Sequence, residues 1–420
     1  MEVWVAALVF LGTYALIATE RLHKTVAALL GGLLMIVFGV LDQEAAFEAI
    51  DFNVIFLLLG MMVIANVMRK TGVFQWLAIR AVQLARGDPW WILVVLCVIT
   101  AVASAFLDNV TTVVLIAPIT LYVAATLGVS PVPYLIAEIL ASNIGGTATL
   151  IGDPPNILIG SAAGVDFPTF AANMTPPALL AFGSFLLLAR FLFGRELSRQ
   201  EVAVSVADLD ASGAIADPRL MRISVLVMLA TIAGFLVAAP LGYEPATVAL
   251  LGATAIFVLT REDPADILAD VEWSTLLFFV GLFVVVEGVI HVGIIRAFAD
   301  GLFELTGGDL TVTSLALMWV SGAASGIVDN IPYTATLIPV VQQLGERGVE
   351  VAPLWWSLAL GADLGGNATI IGASANVIIA SLAARTGHPI SFSSYLRYGI
   401  PTVVVSLSVA SLWIWLVHLR

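Results

Sequence analysis

Apolar runs long enough to span a membrane recur along the chain, separated by short polar breaks. A helix needs about 20 apolar residues to cross the hydrocarbon core. The runs predict ten such helices, at 3–19, 25–41, 52–68, 131–160, 172–193, 222–239, 246–260, 273–290, 352–383 and 395–417. Glycine and polar residues interrupt the fourth and the ninth. Two further stretches, 90–127 and 311–345, each read as two short apolar segments around a polar tip, Asp108-Asn109 and Asp329-Asn330. Such segments fit re-entrant hairpins, because irregular backbone survives at membrane depth only where protein or a water-filled cavity surrounds it. The shorter, mixed stretches 72–87 and 294–306 belong at the interface. Val3 to Ala18 reads as the first membrane helix and not as a leader: Glu2 replaces a basic flank, and no small-residue cleavage site follows.

The basic residues test this arrangement. With the N-terminus outside, fourteen of the seventeen Lys and Arg residues fall on the inner side, and only Arg296, Arg347 and Arg420 fall outside. That bias follows the positive-inside rule. It puts both termini outside a plasma (inner) membrane and makes the polar loop 195–221 cytoplasmic.

The pattern also repeats. Ala105-Phe106-Leu107-Asp108-Asn109-Val110 returns as Gly326-Ile327-Val328-Asp329-Asn330-Ile331, and Pro118 returns as Pro339. Asn143-Ile144-Gly145-Gly146-Thr147-Ala148-Thr149 returns as Asp363-Leu364-Gly365-Gly366-Asn367-Ala368-Thr369, and Asn156 as Asn376. Each copy holds five full spans. Five is odd, so the second copy enters the membrane in the opposite sense. The expected fold is an all-α polytopic membrane protein of two inverted repeats, each with five transmembrane helices, a re-entrant hairpin and a broken helix. Residues 1–200 form the first repeat, 201–214 a cytoplasmic linker and 215–420 the second repeat. Inverted repeats with discontinuous helices mark secondary transporters, whose sites lie near the bilayer midplane.

Composition supports this picture and narrows it. The chain is 60% hydrophobic and 11% charged, with a mean hydropathy of +1.04, whereas a soluble domain carries about 25% charged residues. The net charge of −13 arises in part from loop acids such as Glu262, Asp263, Asp266, Asp270 and Glu272. Nothing is basic enough for nucleic acid. One cysteine, Cys97 in an apolar run, excludes an internal disulfide and a multi-cysteine metal site. No phosphate-binding Gly-x4-Gly-Lys-Ser/Thr loop occurs, so an ATPase engine would need a separate subunit. No cofactor, metal or enzymatic role is expected.

The chemistry concentrates at the breaks. Four carboxylates, Asp108, Asp153, Asp329 and Asp363, sit in membrane segments with no Lys or Arg beside them in sequence. An aspartate at a helix centre costs about 2.5–3.5 kcal/mol on insertion scales, so each needs a cavity, a proton, a cation or a capping role. Asn109, Thr111, Thr112, Asn143, Thr147, Asn156, Asn330, Thr334, Asn367 and Asn376 add neutral polar groups. Gly145-Gly146 and Gly365-Gly366 read as unwound backbone that a substrate or ion approaches closely. Pro154-Pro155 keeps the helix from re-forming early. Glu138 and Glu287 lie at membrane depth, either as proton sites or as packing residues, and His291 sits near a span end. Trp90, Trp91, Trp355 and Trp356 open segments, as an interfacial belt does.

The motifs Leu107-Asp108-Asn109-Val110-Thr111-Thr112 and Asn143 through Asn156 resemble the signatures of the ArsB/P-protein permeases. That family lies in the ion transporter superfamily, beside the NhaD antiporters and the divalent-anion/sodium symporters. The resemblance extends over nearly the whole chain. It implies paired hairpin tips and broken helices around one site, elevator-type alternating access and frequent homodimers. One departure concerns the tips. The sodium/dicarboxylate branch carries Ser-Asn-Thr there, whereas this chain carries Asp108-Asn109-Val110 and Asp329-Asn330-Ile331. Extra carboxylates disfavour a dianion and suit protons, cations or a neutral hydroxylated solute. The expected function is therefore proton-coupled efflux of arsenite or antimonite across the lipid bilayer. Sodium/proton antiport and sodium-coupled organic-anion transport are the alternatives. An intramembrane aspartyl protease is disfavoured, because those enzymes carry Gly-x-Gly-Asp where this chain reads Leu150-Ile151-Gly152-Asp153.

Overall fold

The computed structural model describes residues 1–19, 21–198 and 213–420. The predicted linker 201–214 therefore lies almost wholly outside the described residues. Among those described there is no strand, and eighteen helices have ten residues or more. The first half holds α1 (Glu2–Ala18), α2 (Lys24–Val37), α3 (Phe52–Lys70), α4 (Val73–Leu84), α5 (Pro89–Ser104), α6 (Asn109–Leu127), α7 (Val132–Gly146), α8 (Pro154–Ala163) and α9 (Phe167–Leu192). The second holds α10 (Pro218–Ala238), α11 (Pro245–Thr260), α12 (Trp273–His291), α13 (Ile294–Thr306), α14 (Leu310–Ser325), α15 (Asn330–Glu346), α16 (Ala352–Gly365), α17 (Ser374–Arg385) and α18 (Phe392–His418). Each helix matches the one nine places later.

Local chemistry sets these boundaries. Aspartates cap the helix starts, as Asp51 does by accepting from the backbone N–H groups of Asn53 (2.9 Å) and Val54 (3.2 Å). Proline follows the cap at Asp88-Pro89 and Asp217-Pro218, where its missing N–H costs nothing. Both predicted broken helices are broken, α7 from α8 and α16 from α17. The hairpin reading needs one correction. Among the described residues six helices are long and apolar enough to cross a membrane, and α6, the second hairpin arm, is one of them at 19 residues. Pro118 lies inside α6 and Pro339 at the matching place inside α15, which has 17 residues.

Packing divides the helices into two bodies. In one, α2 packs along α12, α3 along α11, and α1 and α10 cover them. In the other, α5 packs along α7, α14 along α16 and α9 along α18, with α6, α8, α15 and α17 between them. Helices α4 and α13 connect the two. Small residues let backbones touch. A Cβ on Gly60 would lie 2.6 Å from the Ala249 carbonyl carbon, and one on Gly281 would lie 2.5 Å from that of Ala28. These two contacts are repeat mates, as expected of helices that associate by close van der Waals fit in lipid.

The tryptophan expectation fails for one pair. Trp91 is exposed, but Trp355 and Trp356 are buried in α16. Trp356 meets Phe170 edge-on at 5.6 Å. Their helix runs inside the second body, where aromatic volume fills the core instead of marking the lipid boundary. Cys97 is buried as a packed apolar residue.

Candidate functional site

The hairpin tips and helix breaks converge. Asp108 and Asp329 occupy the cap positions of α6 and α15. The Asp108 carboxylate accepts from the Thr111 backbone N–H (2.9 Å) and hydroxyl (2.5 Å), and Asp329 accepts from the Ile331 N–H (3.2 Å). Asp153 sits between the two tips. Asn109 Nδ2 donates to its Oδ2 (2.8 Å) and Asn330 Nδ2 donates to its Oδ1 (3.3 Å). One buried carboxylate therefore ties both hairpins together. Asn143 ties the two breaks: its Nδ2 donates to Asn367 Oδ1 (2.9 Å) and Asn376 Oδ1 (3.0 Å). Asn156 and Asn376 hold the turns beyond α7 and α16. Asn156 Nδ2 donates to the carbonyls of Gly146 (3.1 Å) and Thr149 (3.0 Å), and Asn376 Nδ2 to those of Gly366 (2.8 Å) and Thr369 (2.9 Å).

A cavity of about 450 Å³ reaches this cluster. Its inner wall comprises Asp108, Asn109, Asp153, Asp329, Asn330 and Ser374, and its mouth lies among residues 17–24 and the start of α12. The first residues of α6, α8, α15 and α17 all line it. Helix N-termini carry unsatisfied N–H groups and a partial positive charge. Neither Asp153 nor Ala373 caps its helix through a side chain.

Sequence reasoning missed the cation. Lys24, counted above among the inner-side charges, points into the cavity. Its Nζ lies 3.1 Å from Asp329 Oδ2 and donates to Ser374 Oγ at 2.7 Å; Ser374 in turn donates to Asp329 Oδ2 at 2.9 Å. The Phe278 ring stands 5.3 Å away. Asp329 thus has a basic partner, 305 residues distant along the chain. The available signal was that Lys24 is one of only two lysines. Glu272, at the cavity mouth, was also missed. Burial, with the Asp108 charge behind it, pushes its carboxyl up to about 7, against the opposing pull of the Thr275 hydroxyl, Lys24 and Arg69.

Other predicted residues play different parts. Gly145, Gly146, Gly365 and Gly366 are helical or end a helix, with none in a left-handed conformation. Their role is close packing: a Cβ on Gly145 would sit 2.3 Å from the Ala101 carbonyl oxygen, and one on Gly365 would sit 2.5 Å from Gly322 Cα. The unwound residues are those that follow, 147–153 and 367–373. Thr112 and Thr334 are buried away from the cavity. Glu138 is buried against the Thr120 hydroxyl in the second body, also away from the cavity. Glu287 is half-buried, and His291 is exposed at the end of α12.

A family profile described as citrate transporter, CitMHS, matches residues 14–361. The chain belongs to this family. The CitMHS member described here is 42% identical to uncharacterised transporters of Mycobacterium bovis and Mycobacterium tuberculosis, over 98% of both chains. It is 34% identical to the human P protein over 99% of its own length and 60% of that protein's length, so the P-protein resemblance stands. The CitMHS fold is shared with the Alcanivorax borkumensis YdaH transporter (TM-score 0.63, 16% identity, 99% and 97% of the two chains). It is shared too with Neisseria gonorrhoeae MtrF, described as one of a class of antimetabolite efflux pumps (TM-score 0.60, 13% identity, 91% and 84%). The protein is a multi-pass membrane transporter of the ion transporter superfamily, with a small-molecule substrate.

Proposed function

We propose that this transporter carries a small carboxylate-bearing solute, with citrate as the first candidate, in a proton-coupled alternating-access cycle. The observation that supports it is the meeting of Lys24, Ser374 and the uncapped N-terminus of α17 in the cavity. An ammonium, a hydroxyl and free helix amides form a carboxylate site. Asp329 occupies the lysine in the described state, so an arriving carboxylate competes with Asp329 for it. Asp108, Asn109, Asp153 and Asn330 then contact the hydroxyl and remaining polar groups of the solute. The positive-inside bias puts the cavity mouth on the cytoplasmic face of the inner membrane, with both termini outside, which makes this an inward-open form.

The second reading is export of arsenite or antimonite. It draws support from the acids that remain around the cavity, Asp108, Asp153 and Glu272, which suit a neutral trihydroxide. Purified protein in liposomes separates the readings. Under an imposed pH gradient at constant sodium, labelled citrate should accumulate and a protonophore should abolish the accumulation. Arsenite accumulation with citrate inert would install the second reading. A strict sodium requirement at constant pH would replace proton coupling with sodium coupling.

A further inference from the structure

The two halves treat one position differently. Asn143 and Asp363 are repeat mates, and so are their partners. Asn143 faces Asn367 and Asn376; Asp363 faces Thr147 and Asn156. In the first pairing every polar atom is matched, because Asn143 supplies two N–H donors and its partners supply two oxygens. In the second pairing no donor is left. The Thr147 hydroxyl donates to the Asn143 carbonyl (2.9 Å). Both N–H groups of Asn156 go to the carbonyls of Gly146 and Thr149. Turning the Asn156 amide over would set its oxygen against those two carbonyls, so its orientation is fixed by the network. Asn376 is held in the same way by Gly366 and Thr369.

Asp363 is therefore completely buried among acceptors. Neither of its oxygens has a hydrogen-bond donor among the described residues, and Asn156 Oδ1 also lacks one. The contrast with Asp153 is direct, since Asp153 takes amide donors from Asn109 and Asn330. A bare buried carboxylate is costly unless it is paired or neutralised. One hydrogen resolves the arrangement: a protonated Asp363 donates to Asn156 Oδ1 and reproduces the bond that Asn143 makes to Asn376. In the other half that bond spans 3.0 Å, the separation of a shared hydrogen. The charged groups around Asp363 are Asp153, with Asp108 and Asp329 behind it and Lys24 paired to Asp329. The nearest, Asp153, is a carboxylate that opposes a second negative charge.

We propose that Asp363 is a proton-binding site of the transporter, loaded in the described conformation and sealed by Asn156 and Thr147. The inference rests on the proton-coupled reading for its role in transport, but not for the presence of the proton. Asp363 lies on α16, in the body that contains both hairpins, so a proton held there stays with the substrate site when that body moves.

Infrared spectroscopy of the purified full-length protein, without substrate and at neutral pH, tests the proton itself. The difference spectrum, wild type minus Asp363→Asn, should contain a protonated-carboxyl stretch that shifts in deuterium oxide; the Glu272 carboxyl contributes to both proteins and cancels. Asparagine restores the side chain of the repeat mate, so the variant should elute as a single species. If it does not, Asp363→Glu carries the same test, with the stretch displaced instead of lost. In liposomes, Asp363→Asn should lose accumulation driven by a pH gradient. A difference spectrum with no such band overturns the site, as does a difference band that answers to sodium and not to pH. Wild-type pH-driven accumulation in Asp363→Asn overturns its role in coupling. If no candidate solute is transported at all, the proposed function fails while the spectrum still decides the proton site.

Discussion

The two faces of the protein carry the same parts in opposite arrangements. On one face, Asp51 at the start of α3 accepts a hydrogen bond from Ser161 of α8 at 2.5 Å, and α3 packs against α8. The cavity there, about 290 Å³, is lined by no hairpin-tip residue. On the other face stand the repeat mates Glu272 and Ser381. Among the described residues Glu272 accepts only from the Thr275 hydroxyl (3.1 Å), Ser381 is exposed, and α12 makes no comparable contact with α17. Here the cavity runs to both tips. Equivalent residues are closed in one copy and apart in the other, so the difference lies in how the two bodies meet and not in which residues are present. On the transport reading, exchanging the two arrangements carries the opening from one face to the other.

The largest expected effect comes from fixing the closed face. In a Cys97→Ala background, the double variant Asp51→Cys with Ser161→Cys should cross-link readily under mild oxidant, and transport should fall to background until reductant is added. The mirror pair, Glu272→Cys with Ser381→Cys, should cross-link more slowly, because those positions meet only after the bodies rearrange. Equal rates for the two pairs in the same resting preparation would break the comparison, since both faces would then be closing equally often.

A smaller effect is expected at the contact that joins the bodies on the open face. Lys24 sits on α2 and Asp329 on the second hairpin, and their side chains are 28% and 15% exposed. Lys24→Met leaves the Asp329 carboxylate with Ser374 and the Ile331 amide alone. The expected loss of stability is roughly 1–3 kcal/mol, between the exposed and buried limits for an ion pair. Thermal unfolding in detergent should show it, and adding Asp329→Asn should recover most of it. If the double variant is no more stable than Lys24→Met, the pair is not what holds these two elements together. Citrate binding should weaken in Lys24→Met whatever the stability result.

How much of this was legible in the sequence depended on range. The spans, both breaks and the inversion could be read because each rests on a local pattern: apolar length, a glycine and polar interruption, and an odd number of crossings. The aspartates and asparagines could be read because polar groups at membrane depth need a reason to be there. The Lys24–Asp329 pair could not, since its partners lie 305 residues apart and lysine at a span end reads as a topology signal. The glycines were identified as special for the wrong reason: Gly145 and Gly365 permit helix contact instead of unusual backbone. The repeat showed that Asn143 and Asp363 correspond. Only the bonding of Thr147 and Asn156 shows that the aspartate is left without a donor.

The smallest expected effect is a pH slope at the open face. Glu272 lies beside Asp108 instead of against Ser381, and its carboxyl is pushed up to about 7 from an ordinary value of 4.5. Between those values the folded protein keeps a proton that the unfolded chain has released. Stability therefore falls as pH rises through that window, and the contribution levels off above it. The melting temperature of the wild type in detergent should drop more between pH 5 and pH 8 than that of Glu272→Gln, which carries no titrating group at this position. Other acids add their own slopes, so the difference between the two curves is the quantity to compare. The cross-linked Asp51→Cys/Ser161→Cys protein should keep the wild-type difference, because the closed face on the far side holds Glu272 in its open-face setting. Parallel curves for wild type and Glu272→Gln would mean that Glu272 titrates as an ordinary exposed glutamate, and the open face would lose a group that senses pH from its mouth.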